Sequence, residues 1–228
     1  MPDAPALHIE TLRYRYTPAG PWVVDITTLQ LDPGEQLLLT GSSGRGKSTL
    51  LALIAGLLEP GEGCIKVHGQ DLHALRGHRR DEFRGRHIGM IFQTFNLLPG
   101  FSAAENVMLA LMFSNIPRGE HRTRAHDLLD HLGVDRPDAP PEHLSIGQQQ
   151  RVAVARAVAC KPDLVLADEP TASLDPENAA GAMDLIQTAC RESGAALLCV
   201  SHDPAMATRF EQRASLDELS QIPAGEGV

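Results

Sequence analysis

Apolar and polar positions divide the chain into strand-like and helix-like stretches. Residues 8–16 and 22–31 alternate between apolar and polar side chains, which is typical of strands with one buried face. Residues 36–40, 163–170 and 195–202 are instead continuous apolar runs, as expected of parallel strands buried on both faces. The pattern therefore predicts an α/β fold with a parallel sheet and an antiparallel β subdomain near the N-terminus.

The middle of the chain has a different period. After a short apolar strand at 88–93, the pattern from Thr94 to about Cys160 is helical, with no convincing strand. We interpret residues 94–160 as an inserted helical subdomain. Residues 1–93 and 161–228 then form the core, with the β subdomain attached to it.

Several smaller elements complete this picture. A strand is expected within residues 64–69, and a helix with a surface loop within 71–87. Helices are expected at 120–133 and 176–192, the second joining the last two buried strands. From Asp203 onward the pattern supports only a short helix and a frayed end.

A glycine-rich turn, GSSGRGKST at 41–49, joins a predicted strand to an apolar helical segment and fits G-x-x-x-x-G-K-[ST]. Glycines let backbone N–H groups surround phosphate oxygens, and the helix N-terminus adds partial positive charge. Lys47 would reach the β- and γ-phosphates, and the Ser48 hydroxyl is a hard oxygen ligand for Mg²⁺. The turn predicts a P-loop NTPase with a RecA-like parallel sheet. The nucleotide-binding residues predicted here are Gly41, Ser42, Ser43, Gly44, Arg45, Gly46, Lys47, Ser48 and Thr49.

Two carboxylates, Asp168 and Glu169, end the apolar run LVLADE. Such a pair can simply cap the following turn, but a phosphate-binding loop in the same sheet favours catalysis. Asp168 would then hold Mg²⁺ directly or through water. Glu169 would orient and deprotonate the attacking water.

The segment LSIGQQQR at 144–151 has two compatible interpretations. Ser145, followed three residues later by Gln148, is a capping box that begins a helix over 148–160. A serine hydroxyl and a glycine N–H at a helix N-terminus also bind anions.

Composition and charge narrow the function classes. The net charge of −9 argues against a general nucleic-acid surface, and acidic residues interrupt the basic stretch 76–87. Four scattered cysteines without a C-x-x-C pair suggest a reduced cytosolic setting. We expect no secretory signal and no membrane span, because the N-terminus lacks basic and apolar regions and no apolar run approaches about 18 residues.

Two features of the helical region each have two interpretations. His121, His126 and His131 recur every five residues, which does not stack them on one helical face, so we favour a solvated helix over a metal site. Residues 95–113 are unusually apolar. They serve either as core packing or, in part, as an exposed groove for a membrane partner.

Taken in order, these motifs resemble the ATP-binding subunit of ABC transporters over residues 8–205. The matching elements are GSSGRGKST, Gln93 in IFQ, LSIGQQQR (hereafter the signature segment), LVLADEP followed by SLD, and His202 in VSHD. Residues 80–107 resemble the branch of lipoprotein-releasing, macrolide-export and cell-division ATPases.

The resemblance implies one nucleotide-binding domain over 1–228, with ATP and Mg²⁺ as cofactors, working as a head-to-tail dimer. ATP would lie between the phosphate loop of one subunit and the signature segment of the other. The residues implied across this interface are Ser145, Gly147 and Gln148, near the γ-phosphate, and Asp175, which would bridge the subunits.

The resemblance also implies further catalytic roles. Gln93 would contact Mg²⁺, beside Ser48 and Asp168, and the attacking water. His202 would hydrogen-bond the γ-phosphate and steady Glu169. Tyr16 would stack on adenine, with Tyr14 as the alternative if the register differs by two; an ordinary edge-strand aromatic remains possible for both.

One residue departs from the family pattern. The family usually has Gly-Gly in the signature segment, where this chain has Ile146-Gly147. Because a β-branched residue avoids positive φ, the backbone at Ile146 must be extended or helical. The glycine facing the γ-phosphate, Gly147, is retained. We therefore expect, at worst, weakened or altered binding of ATP between the two subunits (the ATP sandwich) and not an inactive site.

The implied partners are a second copy or homologous subunit and an integral-membrane permease, with no nucleic acid. The protein would then be cytoplasmic and peripheral on the inner face of the cell membrane. One alternative is an ATP-driven transmembrane signalling module of the cell-division type. Another is a soluble ABC ATPase of translation or DNA repair. It is disfavoured because the chain has one nucleotide domain, no long coiled-coil insertion and no basic arm.

Overall fold

The computed structural model describes residues 4–42 and 44–220, and only the backbone of Pro176 and Glu177. Ser43, one of the predicted nucleotide-binding residues, lies outside the described residues, as does the expected frayed end at 221–228.

Strands and helices alternate through most of the chain. The strands are β1 (Leu7–Tyr14), β2 (Val24–Leu31), β3 (Gln36–Thr40), β4 (Glu62–Val67), β5 (Gln70–Asp71), β6 (Ile88–Ile91), β7 (Leu164–Asp168), β8 (Ala196–Val200) and β9 (Gln212–Ser215). The helices are α1 (Lys47–Ile54), α2 (His78–His87), α3 (Ala103–Leu111), α4 (His121–His131), α5 (Ile146–Val158), α6 (Pro176–Ser193) and α7 (Leu216–Leu219). Short 3₁₀ turns occur at Leu72–Ala74, Arg118–Glu120, Pro141–His143 and Pro204–Arg209.

The strands form two sheets, as the hydrophobic pattern predicts. One is a four-stranded antiparallel sheet in the order β2-β1-β4-β5, built from the alternating N-terminal segments. The other is a five-stranded sheet in the order β6-β7-β8-β3-β9, and all of its strand pairs are parallel. The continuous apolar runs are therefore the strands buried on both faces.

The two faces of the parallel sheet bury different partners. In β3, Leu37 and Leu39 pack in one cluster with α1 and the antiparallel sheet. Leu38 points to the opposite face, into a cluster with side chains of α3, α5 and α6. This period of two places one hydrophobic layer on each side of the sheet.

The segment between β6 and β7 holds α3, α4 and α5, and no strand is found in it. Ser102 begins α3 with a complete capping box, because its hydroxyl accepts from Glu105 N and the Glu105 carboxylate accepts from Ser102 N. Buried residues of these helices, such as Val107 and Leu129, continue into the cluster on Leu38. The helices therefore share their core with the sheet.

Some local expectations need correction. The segment after Asp203 contains β9, an edge strand parallel to β3, which the short and polar sequence QRAS did not suggest. The α4 helix is not solvated throughout: His121 is buried, and its Nε2 lies 2.9 Å from the carbonyl oxygen of Ile116. Within the described part of the chain, no group of His, Cys, Asp or Glu side chains is arranged to hold a metal ion.

The four cysteines are all free thiols. Burial raises the pKa of Cys160 to about 11 and that of Cys190 to about 12, so both stay protonated at neutral pH. Among the described helices, none combines the length and apolar character needed to cross a membrane.

Parallel alignment determines where function can lie. The carboxyl ends of all five strands meet along one edge, and the chain leaving each strand passes over that edge. The phosphate loop follows β3, Gln93 follows β6, and Glu169 and His202 follow β7 and β8. These sequence-distant residues are therefore brought together by the sheet.

Gly89 in β6 tests how closely α5 packs on this sheet. A Cβ at position 89 would lie 2.2 Å from the carbonyl oxygen of Ala157, so Gly89→Ala must displace α5. We expect its free energy of unfolding, measured with urea, to fall by about 1–3 kcal/mol.

Gly181→Ala in α6 is the matched control, because nothing lies within 4 Å of an added Cβ there. We expect it to stabilise the protein by up to about 1 kcal/mol through helix propensity. Equal effects of the two substitutions would contradict the packing argument.

Candidate functional site

A cavity of about 940 Å³ opens at the carboxyl edge of the parallel sheet. It brings together the phosphate loop, the residues that end β7, and single residues that follow β6 and β8. Its lining includes the predicted residues Tyr16, Gly41, Ser42, Gly44, Arg45, Gly46, Lys47, Ser48, Thr49, Gln93, Asp168, Glu169 and His202. Most of the predicted site thus converges on one place.

The phosphate loop requires glycine at position 46. Its φ is +85°, and a Cβ there would lie 2.4 Å from the carbonyl oxygen of Val23. This conformation starts α1 immediately afterwards. Lys47 folds back along the loop, and its Nζ donates to the carbonyl oxygens of Gly41 at 2.7 Å and Ser42 at 2.9 Å. The ammonium group is therefore held inside the loop.

Aromatic side chains form the outer wall of the cavity. Tyr16 is 64% exposed, and its hydroxyl lies 2.9 Å from Thr49 Oγ1 on α1. Tyr14 lies in β1 and meets Tyr16 edge-on, with ring centroids 5.1 Å apart. Trp22 also lines the cavity and carries the Arg15 guanidinium 4.5 Å from its ring centroid. Of the two tyrosines, Tyr16 is the one that faces the cavity.

Asp168 is a half-buried carboxylate at the end of β7. Burial and the neighbouring Glu169 charge raise the pKa of Asp168, and together they outweigh a hydrogen bond from Ser48 and the charge of Lys47, which lower it. Ionised Asp168 is therefore incompletely compensated in the structure. A cation beside it would supply the missing charge.

Glu169 and His202 form a close pair. The Nδ1 atom of His202 donates to Glu169 Oε1 at 2.7 Å, and the backbone N of His202 donates to the same oxygen at 3.1 Å. Glu169 has a φ of +46°, a strained conformation for a residue with a side chain. Its backbone N donates to the carbonyl oxygen of Val200, which fixes this conformation at the sheet edge.

The loop after Gln93 is held from two sides. Ser173 Oγ donates to the carbonyl oxygen of Gln93 at 2.6 Å, which joins this loop to the segment after Glu169. Arg156 on α5 donates to the carbonyl oxygens of Asn96 at 2.5 Å and Phe95 at 2.7 Å. Both acceptor residues have positive φ, so the guanidinium secures an unfavourable backbone turn. The helix of the signature segment is thereby fastened to the loop of Gln93.

The signature segment borders a second cavity, of about 530 Å³. Ser145, Gly147 and Asp175 line it. Ser145 is the N-cap of α5, and its hydroxyl accepts from Gln148 N. Asp175 caps α6 by accepting from Asn178 N.

Ile146 and Gln148 of the signature segment differ in where their side chains lie. Ile146 is the first residue of α5, so its backbone is helical as its β-branched side chain requires, and it is 56% exposed. The Gln148 side chain contacts the end of the preceding helical region of the same chain, where its Nε2 donates to the carbonyl oxygen of Gly133 at 3.1 Å. Its backbone N–H, rather than its amide, belongs to the capped turn.

Sequence reasoning missed three residues with clear structural roles. They are Trp22, Arg156 and Asp217, whose carboxylate accepts from Arg45 Nε at 2.6 Å. No local signal marks Arg156 and Asp217, because each contacts a segment far away along the chain. Arg45, predicted to bind nucleotide, is thus paired with Asp217 in the structure.

Known proteins show similarity to most of this chain. Residues 24–172 match the family described as ABC transporter. The chain is 44% identical over 193 residues to the lipoprotein-releasing system ATP-binding protein LolD 1 of Caulobacter vibrioides, covering 83% of this chain and 82% of that protein. It is 40% identical over 229 residues to LolD 1 of Rhodospirillum rubrum, covering 98% of this chain and 100% of that protein.

A solved structure is similar over nearly the same range. It is a dimeric, post-hydrolysis state of the ATP-binding cassette MJ0796 bound to ADP and Pi. The TM-score is 0.79 at 32% identity, with 92% of this chain and 93% of that chain covered.

Arg156→Met tests the connection between α5 and the Gln93 loop. Two carbonyl oxygens lose a charged donor, so we expect the free energy of unfolding to fall by about 1–3 kcal/mol. We also expect kcat for ATP hydrolysis to fall several-fold. Arg156→Lys keeps the positive charge but loses the two-pronged guanidinium donor. Its stability and kcat should therefore lie between those of the wild type and of Arg156→Met. Unchanged kcat in Arg156→Met would contradict the connection.

Asp168→Asn tests the uncompensated charge. Because the folded-state pKa of Asp168 is raised, its ionisation opposes folding at neutral pH. In the absence of nucleotide and divalent cations, we expect a higher Tm for Asp168→Asn at pH 7. With ATP and divalent cation added, we expect the variant to lose ATP hydrolysis. The gain in Tm should shrink as the pH falls through the folded-state pKa, where wild-type Asp168 becomes neutral. A lower Tm at pH 7 would contradict the assignment.

Proposed function

The chain belongs to the ABC transporter family as an ATP-binding, ATP-hydrolysing subunit, and from this we propose that two copies close head-to-tail on two ATP molecules to drive an integral-membrane permease. The partner copy is either identical or a homologous subunit. We further propose residues 1–93 and 161–228 as the catalytic core with its β subdomain, and residues 94–160 as the helical subdomain that carries the signature segment.

One observation carries this proposal. The phosphate loop, Gln93, the two carboxylates and His202 line one cavity, whereas Ser145 and Gly147 line another. A single chain therefore presents each half of a site separately. A head-to-tail partner would place Ser145, Gly147 and the backbone of Gln148 opposite the γ-phosphate, with Asp175 at the contact between subunits. The related cassette MJ0796 is dimeric, which supports the pairing of two copies.

We assign nucleotide binding to residues 41–49 and to Tyr16, which faces the cavity beside Thr49. Lys47 contributes positive charge at the β- and γ-phosphates, and the backbone N–H groups of the loop donate hydrogen bonds to the phosphate oxygens. Tyr16 offers a ring that is exposed to solvent and free to stack on adenine. Trp22 adds a second aromatic surface near it.

The residues present also fit Mg²⁺. Ser48, Gln93 and Asp168 offer oxygen donors on the same cavity, and the half-buried Asp168 carboxylate lacks full compensation. Bound there, Mg²⁺ would neutralise charge on the β- and γ-phosphates. Ser48 and Asp168 would hold it, with Gln93 completing the set.

For hydrolysis, Glu169 accepts a proton from water as the water oxygen attacks the γ-phosphorus and ADP leaves. The His202 bond at 2.7 Å holds the Glu169 carboxylate, and its exposed ring is available to the γ-phosphate. Gln93 orients the water from the neighbouring strand end. Each of these groups sits within the one cavity.

The permease would dock on the helical segment. Leu98, Phe101, Met112 and Phe113 are large apolar side chains that stay exposed, whereas Val107 and Leu111 between them are buried. Core packing therefore accounts for the buried members of residues 95–113, and we propose the partner contact for the exposed ones. Several large exposed apolar side chains in one segment fit a protein contact. Through it the subunit would be cytoplasmic and peripheral on the inner face of the cell membrane, without nucleic acid as a partner.

The relatives favour transport over transmembrane signalling or a soluble function. Proteins named as lipoprotein-releasing system ATP-binding proteins match 82% to 100% of their length. We propose a membrane-anchored lipoprotein as the class of cargo. Accumulation of unreleased lipoprotein after depletion of this subunit would support that class, and normal release would contradict it.

Glu169→Gln tests whether two copies close head-to-tail on ATP. It removes the base but leaves the phosphate loop, so we expect ATP binding, an ATP-dependent dimer, and hydrolysis slowed by at least about 100-fold. Light scattering with MgATP measures the dimer, and phosphate release measures the rate.

Lys47→Ala is the control for that experiment, and should neither bind MgATP nor dimerise. If Glu169→Gln bound MgATP and yet stayed monomeric, the head-to-tail sandwich would be wrong. If wild-type protein with its permease bound ATP without hydrolysing it, the expectation that Ile146 leaves the site active would fail.

A further inference from the structure

The chain after β9 lies directly against the phosphate loop. β9 is parallel to β3, with Thr40 opposite Ser215, so both strands leave the sheet at the same edge. Gly41 and Leu216 therefore meet: a Cβ on Gly41 would lie 3.3 Å from Leu216 Cβ and 3.8 Å from Asp217 Oδ2. Leu216 is buried, which anchors this contact.

Asp217 uses this position to hold two points of the phosphate loop. Its Oδ1 accepts from Arg45 Nε at 2.6 Å. Its Oδ2 accepts from the backbone N of Ser42 at 3.3 Å and from Ser42 Oγ at 3.4 Å. The Arg45 side chain is only 14% exposed, so the pair is screened from solvent on one side. The bond from Arg45, followed by that from Ser42 N, lowers the pKa of Asp217 and keeps it ionised.

These contacts lie next to two glycines of the loop that have positive φ. Gly44 and Gly46 have φ of +78° and +85°. Glycine is the residue that loses most conformational freedom when it is ordered in one such conformation. Fixing Ser42 before them and Arg45 between them removes part of that freedom in advance. Such pre-organisation increases affinity by reducing the ordering required on binding.

We propose that Asp217 is a positioning residue, which holds the phosphate loop through Ser42 and Arg45 in the shape that binds the nucleotide phosphates. This inference rests on the proposed role of residues 41–49 in ATP binding. Asp217 acts through the loop and does not itself contact the nucleotide. The competing expectation is that its negative charge repels the triphosphate, which predicts the opposite change in affinity.

Asp217→Asn tests the sign of the effect. Trp22 is the single tryptophan of the chain and lines the cavity, so its fluorescence can report nucleotide occupancy. We expect the Kd for MgATP to rise roughly five- to tenfold, equivalent to about 1–1.4 kcal/mol. KM should rise with it, while kcat stays within about twofold, because the held loop binds the ground state and the transition state equally.

Glu218→Gln is the matched control, since it removes one negative charge from the same short helix and should leave Kd unchanged. Arg45→Met supplies an independent variant. Because Arg45 and Asp217 act as a pair, the double substitution should raise Kd by less than the product of the two single effects. Urea unfolding of each variant separates a loss of affinity from a loss of fold.

The outcomes separate this inference from the proposed function. If Lys47→Ala binds MgATP as wild type does, the phosphate loop is not the nucleotide site and the proposed function fails. If Lys47→Ala loses binding but Asp217→Asn binds as Glu218→Gln does, only the positioning role fails. Tighter binding by Asp217→Asn would also overturn it, in favour of repulsion.

Discussion

Parallel hydrogen bonding between five strands is the constraint on which the rest of this structure depends. Residues at the carboxyl ends of parallel strands must share one edge, whatever their separation along the chain. Lys47, Gln93, Glu169 and His202 meet there because each follows a different strand. A change in strand order would scatter them without altering any single motif.

The same edge holds groups that are locally unfavourable. The surroundings of Asp168 raise the pKa of its carboxyl group, and Glu169 has a positive φ. Such features persist only where the surrounding structure over-determines them. Here two hydrophobic layers clamp the sheet, and hydrogen bonds from His202 and to Val200 hold Glu169 in place. The packed core thus holds these locally unfavourable groups in place at the sheet edge.

Long-range polar contacts then connect the parts that a catalytic cycle must coordinate. Arg156 ties the helix of the signature segment to the loop of Gln93, and Ser173 ties that loop to the segment after Glu169. Asp217 ties the end of the described chain to the phosphate loop. Each contact joins elements that no motif places together. The segments around the cavity are therefore already joined by hydrogen bonds in this structure.

The fold class, the phosphate loop and the acidic end of β7 can all be predicted from the amino-acid sequence, because they rest on local periodicity and on short motifs with fixed backbone demands. The predicted capping by Ser145 also needs only neighbouring residues. Tertiary structure alone decided that Tyr16 rather than Tyr14 faces the cavity, and that polar residues 212–215 form an edge strand. It also decided that Arg45 pairs with Asp217, since contacts across such separations depend on strand register, which no local pattern encodes.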